Sequence, residues 1–143
     1  MRRRRAWSAS DGLRLLAVAL LLVEGAIHLQ QYEGPLHAVP TIDTLFVVNA
    51  VAAAAIALVL AGSRGFVAML ASLAAVGLTL GALVSLAITR TGTLFDYSEP
   101  TLRAAVVLAA CVEFAVVLAL AGFLLSRRSE GSARPRVDWT DAP

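Results

Sequence analysis

The stretch LRLLAVALLLVEGAIHLQQY, residues 13–32, is long and apolar enough to cross a lipid bilayer as one helix. About 20 residues at roughly 1.5 Å each span the roughly 30 Å hydrocarbon core. The stretch nevertheless carries Glu24 near its middle and His28 one helical turn later, which places the two side chains about 40° apart on one helix face. Ionisable side chains within a membrane face the bundle interior or a water-filled cavity. Glu24 and His28 are therefore the first candidates for a functional site.

The whole chain has the composition of an integral membrane protein. Of its 143 residues, 59% are hydrophobic and 15% are charged, whereas soluble domains have roughly 45–50% and 25%. Hydropathy predicts an all-α bundle of four transmembrane helices, at about residues 13–32, 41–61, 66–89 and 101–125. The remaining segments are predicted to be a basic N-terminal tail, residues 1–12, and a disordered C-terminal tail, residues 126–143.

Turn-forming residues separate the predicted helices. Gly34 interrupts the chain after the first helix, and residues 62–65 (GSRG) form a tight turn between the second and third. Pro100 is expected to open the fourth helix, because a proline in the first turn loses no hydrogen bond. Glu99 is expected to pair with Arg103, one helical turn further on. The short connections make consecutive helices antiparallel neighbours.

The distribution of arginine predicts the orientation of the bundle. Ten of the 12 basic residues lie in the two tails, at the start of the first helix or in the 62–65 turn, and only Arg90 and Arg103 lie opposite. Since basic residues concentrate on the cytoplasmic side of a membrane, both termini are predicted to be cytoplasmic, in a multi-pass protein of the inner (plasma) membrane. The arginine-rich tails are expected to contact anionic lipid rather than nucleic acid.

Four polar residues are predicted to lie inside the membrane. At roughly 1.5 Å per residue, Glu24 and Glu113 fall about 15 and 18 Å below the starts of their helices, near the bilayer centre. His28 and Asn49 fall in its outer half. These four residues are candidates for a ligand- or proton-binding site in a small polar cavity that opens outward. The alternative is a buried polar network that only fixes the helix register.

Small residues recur at every fourth position of the third predicted helix. Gly77, Gly81 and Ser85 form a GxxxG pattern extended by a serine, which is typical of a close helix-packing face. The expected partner is the alanine stripe of the second helix, which begins at Ala53. The alternative partner is a second copy of the chain.

Two segments carry a resemblance to known membrane proteins. EGAIHL, residues 24–29, followed by LFVVNAVAA, residues 45–53, resembles small actinobacterial four-helix membrane proteins that lack an assigned function and, more loosely, the DoxX-like proteins. The resemblance covers residues 13–125, implies an inner-membrane bundle and supplies no catalytic residue. Small multidrug transporters are similar in size and in their first-helix glutamate, but the strong arginine bias and long polar tails of this chain differ from theirs.

Three hypotheses on function follow from these features. The first is a non-enzymatic membrane subunit or scaffold, with a buried polar network and a second copy or another membrane protein as partner in the lipid bilayer. The second is a proton- or cation-linked protein that binds or transports a small molecule through its intramembrane glutamates and histidine.

The third hypothesis is a small membrane redox protein that binds haem or a metal. A haem ligated by His28 needs a second axial ligand on another helix, but His37 lies in a loop and Met69 lies at the cytoplasmic end of the third helix. Glu24, His28 and Glu113 are suitable metal ligands in type, but their spacing is not diagnostic. The single cysteine, Cys111, excludes an internal disulfide. No catalytic residue and no specific cofactor is predicted, and metal binding is left open.

Overall fold

The computed structural model describes residues 8–34 and 36–132. Within these residues the chain forms four helices and no strand: α1 (Ala9–Glu33), α2 (Ile42–Gly62), α3 (Gly65–Thr91) and α4 (Ala104–Ser132). The predicted all-α four-helix bundle is confirmed. All four of these helices are long and apolar enough to cross a membrane.

The first helix begins earlier than the hydropathy predicts. Ser8 and Asp11 form a capping box, in which the Ser8 side chain accepts from the backbone N–H of Asp11 and the Asp11 side chain accepts from that of Ser8. Because this reciprocal pair satisfies backbone donors that a helix start leaves free, α1 begins at Ala9. Residues 1–7 of the predicted basic tail lie outside the described part of the chain.

The fourth helix is shifted toward the C-terminus at both ends. It begins at Ala104 rather than directly after Pro100, because the Thr101 and Arg103 side chains bind Glu99 and hold residues 99–103 in a non-helical turn. It continues to Ser132, so residues 126–132 are helical and not disordered as predicted. No proline stops the helix at residue 125, and a change from apolar to polar side chains does not end a helix. Residues 133–143 are not described.

The four helices pack in a ring, with α1 between α2 and α4 and α3 opposite α1. We call the end that carries the α2–α3 turn the terminal end, and the end that carries the α1–α2 and α3–α4 connections the loop end. Gly25 lets α2 approach α1 closely, since a Cβ atom there would lie 3.1 Å from the backbone oxygen of Ala50. Arg14 fixes the terminal end, where it donates to the backbone oxygen of Ser63 at 2.8 Å.

The apolar core fills the terminal-end half of the bundle. Its members come from the first part of α1 and α3 and the last part of α2 and α4, and include Leu21, Leu60, Val116 and Leu120, all fully buried. The outer surface is also apolar, and Leu58 and Leu118 are more than 70% exposed. An apolar exterior around a bundle that buries glutamates is the arrangement expected of a membrane protein.

Buried polar layer and candidate ligand cavity

Glu24 lies at the centre of the bundle, where its side chain accepts a hydrogen bond from α3. Its side chain is 1% exposed, and the Thr79 hydroxyl donates to its Oε2 at 3.0 Å. Thr79 is fully buried and its role was not predicted from the sequence. The available signal is that Thr79 is a hydroxyl residue near the middle of a mainly apolar helix.

His28 connects α1 to α4. Its Nδ1 donates to the backbone oxygen of Glu24 at 3.0 Å, because a carbonyl oxygen can only accept. Its Nε2 therefore faces away from α1, and lies 3.7 Å from Oε1 of Glu113. The Phe46 ring of α2 lies against the imidazole, with 5.0 Å between ring centroids. The predicted common face of Glu24 and His28 is thus present, but their side chains bind different helices.

A cavity of about 390 Å³ occupies the loop-end half of the bundle. His28, Asn49 and Glu113 line its deep end, at the level of the polar layer, whereas Glu24 does not line it. Its walls are mainly apolar side chains such as Ile27, so the cavity lies in the predicted half of the bundle but is less polar than predicted.

Two buried oxygen atoms at the deep end of the cavity have no hydrogen-bond partner. They are Oε2 of Glu113 and Oδ1 of Asn49, and they come from α4 and α2 respectively. Buried polar atoms in proteins are nearly always paired, so these two acceptors require an explanation.

Gly77, Gly81 and Ser85 line this cavity. A Cβ atom at Gly77 or Gly81 would meet nothing within 4 Å. In this structure Ala53 lies next to Gly25 of α1, and packing of the Gly77 face, on the alanine stripe or on a second copy of the chain, stays a prediction. The absence of side chains at Gly77 and Gly81 leaves space inside the bundle.

The α3–α4 connection forms a lid at the loop end of the cavity. Residues 94–97 turn tightly, with positive φ at Phe95 and Asp96 and backbone hydrogen bonds in both directions between Leu94 and Tyr97. The backbone N–H of Glu99 then donates to the backbone oxygen of Thr89 at 2.9 Å, which ties the lid to the end of α3.

Glu99 is the centre of this lid and is 5% exposed. Arg103 donates to both of its carboxylate oxygens, as the predicted pair requires, and the Tyr97 hydroxyl donates to Oε2 at 2.7 Å. Arg103 also donates to Oε1 of Gln31 in α1 at 3.4 Å. The lid is thereby joined to α1 by a contact that the sequence analysis did not identify.

Two residues of the lid, Glu99 and Tyr97, have shifted pKa values. Burial opposes ionisation of Glu99, but the hydrogen bonds from Arg103, Tyr97 and Thr101 and the charge of Arg103 outweigh it, so the pKa of Glu99 is lowered. Burial, together with the hydrogen bond to Glu99, raises the pKa of Tyr97 to about 12. Glu99 is therefore an ionised acceptor and Tyr97 a neutral donor at neutral pH.

The structure brings His28, Asn49 and Glu113 together around one cavity and places Glu24 beside it, in contact with Thr79. Across residues 8–34 and 36–132, no three His, Cys, Asp or Glu side chains are grouped as a metal site. Its mainly apolar walls make the cavity a candidate site for an organic ligand.

No family model, curated protein or solved structure matches this chain. The resemblance of residues 24–29 and 45–53 to small actinobacterial membrane proteins and to DoxX-like proteins stays a prediction. The residues of the cavity themselves are therefore the basis for any functional proposal.

Proposed function

We propose that this protein is a non-enzymatic, multi-pass protein of the inner membrane that binds an apolar small molecule in the loop-end half of its bundle. The observation that carries the proposal is the cavity of about 390 Å³, whose lining includes Glu113, a residue with a buried and unpaired Oε2. The arginine bias supports cytoplasmic termini, which places the loop end on the outer side of the membrane.

The dimensions and lining of the cavity support a ligand of moderate size. Binding sites for small molecules have volumes of about 300–1,000 Å³ and are lined mostly by apolar groups with a few polar ones. From Val106 to Glu113 the cavity follows α4 over seven residues, which corresponds to about 10 Å. An elongated apolar molecule fits this space.

The wall between α2 and α3 supports entry from the lipid. Leu45 and Val48 of α2 line the cavity and are 42% and 55% exposed, and Gly77 and Gly81 of α3 are exposed as well. In a bilayer this side faces hydrocarbon, in which apolar molecules are concentrated. The lid at the loop end, by contrast, is held by several hydrogen bonds.

A cavity-filling variant tests this proposal. We expect pentylbenzene to raise the thermal unfolding midpoint of the full chain in lipid nanodiscs, since a ligand that binds only the folded state stabilises it. A Cβ atom at Gly81 meets nothing within 4 Å, so Gly81→Phe can add a ring at the cavity wall and should abolish the stabilisation. Gly62→Phe is the matched control, because Gly62 also has open space around its Cβ position but does not line the cavity. Equal stabilisation of the wild type and Gly81→Phe, or of neither, contradicts the proposal.

A second candidate function is the membrane subunit or scaffold. The open space at Gly77 and Gly81 favours it, because a helix of another chain can approach a glycine face closely. In that case Gly77→Leu should reduce a homodimer or complex observed by cross-linking in membranes. Intact assembly of Gly77→Leu together with loss of pentylbenzene binding in Gly81→Phe would favour the cavity function.

A further inference from the structure

We propose that the deep end of the cavity recognises a primary or secondary amine. The N–H groups of the amine donate hydrogen bonds to Oε2 of Glu113 and Oδ1 of Asn49. This inference rests on the proposed cavity function and names the chemical class of its ligand. The amine nitrogen lies between α2 and α4, and its apolar substituent extends toward the lid.

The two free acceptors belong to residues of different helices that both line the cavity. Both oxygen atoms are buried in this structure, so a ligand in the cavity reaches them by rotation of the two side chains. Glu113 is 2% exposed, so water outside the bundle does not reach its carboxylate freely. An unmade hydrogen bond on a buried acceptor is costly. A ligand that supplies donors at this position removes the cost for both atoms.

The protein donors near these acceptors are already used. The Thr79 hydroxyl donates to Glu24, and Nδ1 of His28 donates to the backbone of α1. Nε2 of His28 lies 3.7 Å from the other oxygen of Glu113, Oε1, which is beyond hydrogen-bond distance. None of these groups donates to Oε2, so a ligand in the cavity can supply the donor.

The number of donors and the charge favour an amine over other groups. A primary ammonium carries three N–H donors and can serve Glu113 and Asn49 together, whereas a hydroxyl has one donor and can serve only one of them. An N–H of a cation bound to a carboxylate also forms a stronger bond than a neutral pair.

A carboxylate ligand is disfavoured for two reasons. It brings a negative charge to Glu113, and Arg103 at the other end of the cavity is already engaged by Glu99 and Gln31.

The first test compares three ligands on the unmodified protein. Binding to the full chain in nanodiscs is measured for phenylbutylamine, for its trimethylammonium derivative and for pentylbenzene. The amine has both charge and N–H donors, the derivative has charge without donors, and the hydrocarbon has neither. We expect the amine to bind at least about tenfold more tightly than either of the others, as loss of a charge-assisted hydrogen bond implies. Equal affinity of all three overturns the amine assignment.

The second test uses near-isosteric variants. Glu113→Gln should weaken phenylbutylamine binding at least about tenfold, and Asn49→Leu about threefold, with pentylbenzene binding retained in both. Glu33→Gln is the control, because Glu33 is an exposed glutamate that does not line the cavity. Unchanged amine affinity in Glu113→Gln overturns the inference.

The failures of the two proposals are distinguishable. In one outcome, pentylbenzene binds, Gly81→Phe abolishes that binding, and the amine binds no more tightly than pentylbenzene. This outcome refutes the amine assignment and retains the cavity function. Absence of cavity-dependent binding for both ligands refutes the cavity function and the amine assignment with it.

Discussion

The Nε2 atom of His28 in α1 lies 3.7 Å from Oε1 of Glu113 in α4, and the two side chains are 9% and 3% exposed. Since Nδ1 of His28 is held by the backbone of its own helix, the Nε2 edge of the imidazole faces α4. The pair therefore couples two helices at the level where the packed core ends and the cavity begins.

We expect His28 and Glu113 to contribute to stability as a pair. His28→Leu alone removes the polar group that lies 3.7 Å from Oε1 of the buried Glu113, and should cost about 1–3 kcal/mol of the free energy of unfolding. The double variant His28→Leu/Glu113→Leu should cost less than the sum of the single variants, by about 0.5–3 kcal/mol. The free energy of unfolding of the wild type, the two single variants and the double variant is measured by SDS titration followed by circular dichroism. Additive losses would show that the pair does not interact.

Thr79 should be more important for stability than an equally buried hydroxyl on the same helix. Thr79→Val preserves shape but leaves Glu24 without its donor, so we expect a loss of about 1–3 kcal/mol. Ser72 is the control, since it is also fully buried but donates to Ala68 in its own helix at 2.8 Å. Ser72→Ala should therefore cost clearly less in the same titration, and an equal loss in the two variants would contradict a specific role for Thr79.

Substitution by alanine should have opposite effects on the free energy of unfolding at two glycines. Gly25→Ala places a Cβ atom 3.1 Å from the backbone oxygen of Ala50, which should separate α1 from α2 and destabilise the protein by about 1–3 kcal/mol. Gly77→Ala meets open space and should stabilise it by up to about 1 kcal/mol, through the higher helix propensity of alanine. Thermal unfolding in detergent compares them, and destabilisation by both variants would indicate that α3 packs more tightly at Gly77 than the structure shows.

The contribution of the lid to the free energy of unfolding should decrease in acid. The pKa of Glu99 lies below its ordinary value of 4.5 in the folded protein, so the unfolded chain takes up the proton first. The stability that ionised Glu99 contributes is fully present above pH 4.5 and is lost as the pH falls through the lowered pKa of the folded state.

Glu99→Gln should cost about 1.5–3 kcal/mol at neutral pH, because it removes charge-assisted hydrogen bonds, and it should flatten the acid dependence of the thermal midpoint. Glu33→Gln, at an exposed glutamate, should keep the wild-type dependence. An identical acid dependence in Glu99→Gln and the wild type would exclude Glu99 as its source.

Local patterns were sufficient to predict part of the candidate site. Helical spacing placed Glu24 and His28 on one face, and the rise per residue placed Glu113 and Asn49 at related depths. Thr79 and Gln31 were missed, because a single threonine or glutamine in a helix has many structural roles. The partner of Gly77 and Gly81 stays a prediction, since the GxxxG pattern gives the potential for close approach but not the position of the partner.

By itself the sequence determined the four helices and their antiparallel order, because long apolar stretches and short polar connections depend only on neighbouring residues. The tertiary structure decided which helix receives each buried polar side chain: Glu24 binds Thr79 of α3, and His28 lies against Glu113 of α4. It also decided that Gly25, rather than Gly77, is the site of close packing. These features depend on rotations and separations of helices, which are set by the simultaneous packing of all four and are not encoded in any one segment.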